Sequence, residues 1–153
     1  MADTAKRLGI CIIETEEKDA TELDEKLVNT MDKVLVDAPC SGLGIIRKKP
    51  DIKWKKENRD LESLINIQRK ILEISSQYLK RNGVLVYSTC TISEKENLEN
   101  IKWFIKNFDF ELEDLNPYIP ESIQNHDTKK GYIQLYPHIH NTDGFFIARL
   151  RKK

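Results

Sequence analysis

The chain has 153 residues, 39% hydrophobic and 33% charged, with 25 basic and 25 acidic side chains and no net formal charge. That is one domain's worth of chain, able to bury a core without metal or disulfide staples. The balance excludes a disordered polyelectrolyte and a bulk polyanion binder, yet leaves room for a local basic patch. No apolar run approaches the roughly 18 residues of a membrane-spanning helix, and residues 1–10 carry no signal-peptide core. Three scattered cysteines, Cys11, Cys40 and Cys90, fit a reducing cytoplasm better than a disulfide scaffold or zinc ribbon. The six glycines form neither GxGxxG nor GxxxxGK[ST], so no phosphate-cradling loop is legible.

In chain order, Ala2 to Leu8 reads as the end of a helix capped by Gly9. Gly9 to Glu14 reads as a short strand that holds Cys11 as an inert filler. Glu14 to Glu25, seven acids against one lysine, reads as a solvated loop and short helix. Lys33-Val34-Leu35-Val36-Asp37 is an apolar run typical of a strand buried on both faces. Ala38 to Gly42 must be loop, because Pro39 cannot continue a central strand. Arg47 to Lys56 follows, with six basic residues, Pro50 and Trp54.

From Leu61 an amphipathic helix is expected. Leu61, Leu64, Ile65, Gln68, Ile71, Leu72, Ser75, Tyr78 and Leu79 share one face, and Gly83 ends it. Val84 to Ser88 predicts a second buried strand. Ser93 to Glu96 has the pattern of a capping box opening a helix striped by Leu98, Ile101, Phe104 and Ile105. Phe108 to Leu115 alternates like a strand, residues 116–143 read as irregular, and Gly144 to Leu150 as a last strand. This order predicts an α/β fold with a mostly parallel sheet.

In such sheets, ligands gather beyond the carboxyl ends of the strands. Two strands here end in reactive residues, Asp37-Ala38-Pro39-Cys40 and Ser88-Thr89-Cys90-Thr91. If those strands are neighbours, both thiols and the Asp37 carboxylate approach one pocket. A helix starting near Cys90 would also lower its thiol pKa. His126, His138 and His140 lack a carboxylate-rich ligand pattern, so no metal is expected.

Residues 34–44 (VLVDAPCSGLG), 47–54 (RKKPDIKW), Gln68-Arg69, 87–91 (YSTCT) and 142–146 (TDGFF) together closely resemble the RNA cytosine-5 methyltransferases of the Sun/RsmB type. The resemblance covers almost the whole chain and keeps the family's motif order. It implies a class I, Rossmann-like S-adenosylmethionine-dependent methyltransferase fold whose last strand is antiparallel. The bacterial branch acting on 16S ribosomal RNA resembles this sequence most, with a transfer RNA substrate as the alternative. The resemblance assigns Cys90 as nucleophile toward cytosine C6 and Cys40 as the residue assisting product release. It gives Asp37 contacts with the methyl donor and the target base. It places Asp19 and Pro39 at the donor site, Asp19 on the adenine side. Arg47, Lys48, Lys49 and Lys53 would hold phosphates of an unstacked RNA strand. For Arg47, RNA contact and solvated charge remain equally open; for Trp54, a plug in the core is favoured over base stacking.

The family's glycine-rich donor loop, its ribose-holding acid and its first two strands are not found in this sequence. The expectation is therefore the C-terminal part of the catalytic domain, with residues 1–30 poorly packed or paired non-natively and the Lys33–Asp37 strand left as an exposed edge. A non-catalytic RNA- or partner-binding fragment is the second hypothesis. A redox enzyme using Cys40 and Cys90 is the third, weakened by the absence of CxxC.

Overall fold

The computed structural model describes residues 2–54 and 58–153, and within them every side chain except those of Lys53, Asn58, Arg59 and Asp60. The helices are α1 (Ala2–Arg7), α2 (Asn58–Tyr78), α3 (Leu98–Asn107), α4 (His126–Lys129) and α5 (Pro137–His140). The strands are β1 (Met31–Asp37), β2 (Leu79–Thr89), β3 (Phe110–Leu112), β4 (Tyr132–Leu135) and β5 (Phe145–Lys152). The sheet runs β1-β2-β5-β3, and β4 also pairs with β5. β4 lies along Phe145 to Ala148 and β3 along Leu150 to Lys152, so β5 holds two short strands end to end on one side.

The α/β class holds, and the antiparallel last strand makes the sheet mixed. Only β1 and β2 are parallel; every pairing of β5 is antiparallel. A parallel pair needs a long crossover, which α2 supplies between β1 and β2.

Register places the site. Val34 faces Leu85, Val36 faces Tyr87 and Asp37 faces Ser88 across the parallel ladder. Tyr87 and Thr89 in turn oppose Ala148 and Phe146. Alternation sends Val36, Leu85, Tyr87, Phe146, Ala148 and Leu150 to one face, where they form the core with Ile71, Leu72, Ile101 and Phe104 of α2 and α3. Each such buried side chain contributes about 1.5–3 kcal/mol of transfer free energy. Phe104 stacks on Phe108 with ring centres 4.9 Å apart, closing the core beneath β3.

Several expectations change. Gly9 to Glu14 forms no strand; Ile12 is 90% exposed and Cys11 is exposed rather than a core filler. A strand needs a partner for its backbone groups, and this segment finds none. The local pattern of two-sided burial does not hold for β1, which is the exposed edge that the absent strands lead us to expect, with Leu35 69% exposed. α2 stops at Tyr78, short of Gly83, because Leu79 already enters β2; the bend falls at Asn82, with φ +63. α3 begins at Leu98, not at Ser93. The stretch 116–143 contains α4, β4 and α5. Trp54 is 85% exposed and plugs no core.

Candidate active site at the ends of two parallel strands

The β1–β2 ladder carries on one step beyond β1, where Ala38 N donates to Ser88 O at 3.0 Å. Pro39 then breaks the pattern, having no N–H to give. The two chains leave the sheet side by side, and Cys40 Sγ comes to rest 3.4 Å from Cys90 Sγ. Both thiols are half-buried. Burial, and behind it the hydrogen bond with Cys90, pushes the Cys40 thiol up to about 12. Cys40 is thus a neutral thiol across physiological pH. With the start of α3 at Leu98, the group against Cys90 is Cys40, not the first turn of a helix.

A buried polar network holds this geometry. Glu96 is wholly buried, and its Oε2 accepts from Ser41 N at 2.7 Å and from Gln68 Nε2 at 3.2 Å. Gln68 Nε2 also donates to Pro39 O at 2.9 Å, so one amide grips both sides of the Pro39–Ser41 turn. Asn100 Nδ2 donates to Gln68 Oε1 (2.7 Å), and Tyr87 OH to Glu96 O (2.8 Å). On the other strand, Ser41 Oγ and Thr91 Oγ1 lie 2.7 Å apart, joining the two cysteine loops directly. Thr89 Oγ1 donates to Asn97 Oδ1 at 2.6 Å, and Asn97 Nδ2 donates to Thr91 O at 3.0 Å. Buried polar groups persist when each finds partners, so these contacts fix where Cys40 and Cys90 stand.

A third loop locks onto the first two. Gly44 N donates to Cys90 O at 3.0 Å, and Gly144 N to Gly44 O at 2.9 Å. A Cβ on Gly44 would collide with the Gly144 carbonyl, and one on Gly144 would meet Gly44 Cα at 2.7 Å. Only glycine at both positions permits this crossing. Lys48 pairs with Asp143 across the same junction.

The other expected site residues divide into two groups. Asp37 is exposed, accepts from Ser88 Oγ at 3.0 Å, and borders a mostly apolar hollow of about 330 Å³ with Leu35, Val86, Phe145 and Ile147. Pro39 is exposed beside Cys40. Asp19 lines a different, acidic hollow with Glu17, Glu22 and Asp24. There Thr21 Oγ1 and N donate to its Oδ1 at 2.7 and 2.8 Å, holding its carboxyl below the usual range. Arg47, Lys48 and Lys49 are exposed on the turn after the cysteine loop. The Lys53 side chain, Lys55 and Lys56 lie outside the described residues.

Asp37 puts a carboxylate at the edge of the mostly apolar hollow, a chemistry able to meet a ligand with an apolar ring and a cationic sulfur. Among the described residues no group of three or more His, Cys, Asp or Glu could hold a metal ion, and no helix is long and apolar enough to cross a membrane.

Sequence reasoning missed Glu96 as a brace, reading it as part of a helix cap. It also missed Gln134, whose Nε2 donates to Thr91 O (3.3 Å) and whose Oε1 accepts from Asn97 Nδ2 (2.7 Å). One signal was available: Gln68 and Asn100 interrupt apolar helical stripes, where a polar residue needs a buried partner.

Comparison with known proteins places the chain in a family. The 16S rRNA methyltransferase RsmB/F family matches residues 1–151. A probable ribosomal RNA small subunit methyltransferase B of Bacillus subtilis is 44% identical over 99% of the chain, and a ribosomal RNA small subunit methyltransferase F of Shewanella piezotolerans is 32% identical over 95%. The chain spans about a third of their length, 34% and 31%. Among solved structures, NSun6 from Pyrococcus horikoshii with SFG superposes with a TM-score of 0.80 at 36% identity, over 99% of this chain and 38% of that one. A methyltransferase homolog protein from the same organism gives 0.80 at 33%, over 99% and 48%.

Proposed function

Because the chain belongs to the RsmB/F family of 16S rRNA methyltransferases, we propose that it carries the thiol side of a site that methylates cytosine C5 in RNA. The observation that supports this reading most is the 3.4 Å approach of Cys90 to a Cys40 kept neutral. C5 of cytosine is a poor nucleophile. Covalent addition of a thiolate at C6 moves electron density to C5 and makes it reactive. Cys90 is the attacking thiolate. Cys40, held protonated by burial, is poorly suited to attack and well suited to donate its S–H toward Cys90. After methyl transfer a base removes the C5 proton, the C6–S bond breaks, and Cys40 assists release of Cys90. Asp37 accepts a hydrogen bond from the N4 amine and shares a proton with N3, which becomes electron-rich in the adduct. S-adenosylmethionine, bordered by Asp37 and Pro39 with Asp19 toward its adenine, supplies the methyl group when bound.

Arg47, Lys48, Lys49 and Lys53 attract the RNA phosphates, Lys48 in exchange for its pairing with Asp143. The substrate is 16S ribosomal RNA in preference to transfer RNA, and the thiol chemistry belongs in the reducing cytoplasm.

The test is trapping. RNA carrying 5-fluorocytidine, incubated with the chain and S-adenosylmethionine, should give a slowed protein band, since the C5 fluorine blocks elimination. Cys90→Ala should give none. Cys40→Ala should accumulate an adduct on ordinary cytidine. An adduct surviving Cys90→Ala overturns the assignment. The second reading, an RNA-binding fragment without catalysis, draws support from the exposed segment around Asp19. Absence of binding heat with millimolar S-adenosylmethionine would favour it.

A further inference from the structure

A second pocket of about 400 Å³ opens beside the Cys90 loop, where Ile92 meets β4, α4 and α5. Building on the RNA reading above, we propose that it receives an unstacked nucleobase neighbouring the target cytosine, with guanine the best match.

Half of its wall is aromatic or aliphatic, and among the polar half His140 Nδ1 accepts from Tyr136 N at 2.9 Å. Phe146, 1% exposed, forms the floor with Tyr132, and Tyr136 stands at the side. Ile92 and Ile139 remain 41% and 64% exposed at the rim. Flat apolar walls of this kind take unstacked bases, which have a π-face whatever their identity.

The polar groups narrow the choice. Asn97 and Gln134 are engaged with each other and with Thr91 O. Asn125 caps α4, accepting from Asp127 N and Thr128 N. Asp127 Oδ1 accepts from Tyr132 OH at 3.1 Å and Lys130 Nζ at 3.4 Å. Among the described residues, Asp127 Oδ2 and the Glu94 carboxylate accept no hydrogen bond. The pocket therefore offers anionic acceptors, which repel phosphate and favour a base edge rich in N–H. Guanine presents two adjacent donors on its Watson–Crick edge, N1–H and the N2 amine, which one carboxylate can take together. Uracil presents a single donor between two acceptors and fits worst.

Proximity ties the pocket to the reaction. Ile92 is two residues from Cys90, a reach of at most about 7 Å along the backbone. Two amides fasten Thr91 O between them, so the wall is rigid. A base placed here and a cytosine at Cys90 belong to one short strand.

The experiment is fluorescence anisotropy of the chain with short oligouridines that carry one central cytidine and a single guanosine moved through the flanking positions. One flanking position should bind about 5-fold or more tightly with guanine than with uracil. The Glu94→Ala/Asp127→Ala pair should erase that preference. Tyr136→Ala should weaken binding to the same position, and an abasic nucleotide there should cost the wild type but not Tyr136→Ala. Tyr136→Phe, which keeps the ring, should match the wild type. Binding without any preferred position, or a preference that persists in the variants, overturns this inference alone. No RNA binding by the wild type overturns it together with the RNA reading.

Discussion

The cysteine wall and the segment bearing Asp19 are built differently. Around Cys40 and Cys90, backbone and side chains from β2, α2, α3 and the turn before β5 interlock through buried hydrogen bonds. Around Asp19, nearly every residue from Leu8 to Leu23 is exposed, and the local order comes from short-range contacts such as Thr21 to Asp19 and Lys18 to Asp24. Attachment to the fold begins at its end, where Tyr78 OH donates to Glu22 O at 3.3 Å and accepts from Asp24 N at 3.0 Å, and Asn29 N donates to Gln77 O at 2.9 Å. The thiols are thus preorganised by tertiary structure, whereas Asp19 is held only by its own turn. Only the first region has the rigidity that sub-ångström placement of reacting groups requires.

Substitutions should expose that asymmetry. Glu96→Ala removes a buried acceptor and strands Ser41 N–H, so it should cost about 3 kcal/mol in urea unfolding. It should also speed alkylation of Cys40 as its turn loosens. An unchanged midpoint would show that the network is not what braces the wall. Gly44→Ala should be next, at about 1–3 kcal/mol, because the Gly144 loop must retreat; thermal melting reads this directly.

A pH titration of stability isolates Cys40. Its folded pKa is raised from 9.0 to about 12, so above pH 9 the unfolded thiol loses its proton while the folded one keeps it. The folded state then binds more protons, and stability falls as pH climbs from 9 toward 12. Cys40→Ala should flatten that limb relative to wild type. An identical slope in the two proteins would contradict the neutral-thiol description. The smallest effect belongs to the exposed region: Asp19→Asn should move stability by no more than about 0.5 kcal/mol. A loss beyond that would mean the segment is better tied down than its exposure implies.

The same contrast separates what reading the sequence could reach. The helix around Ile71 and Leu72, the strand ending at Ser88 and the last strand all follow from periodicity, because their apolar residues face a core that exists. Gly9 to Glu14 has equal β character and no partner, so propensity misleads there. The run Val34-Leu35-Val36 reads locally as two-sided burial, but the edge that β1 forms is expected from the missing strands rather than from the run itself; hydrophobicity reports a tendency to be covered, not whether a cover is present. β4 went unseen because four residues between two short helices carry too little pattern.

For the site, the sequence by itself determined the reagents. Two cysteines shortly after apolar runs, an acid three residues before Cys40 and a basic turn after it are covalent facts. Tertiary structure decided their relations. The parallel register of β1 and β2 brought Cys40 to 3.4 Å from Cys90. Burial pushed the Cys40 thiol up. Glu96, which spacing assigns to a helix cap, turned inward because Ser41 N and the Gln68 amide were waiting there. Hydrogen bonding and desolvation depend on what lies across space, and local pattern carries no record of it.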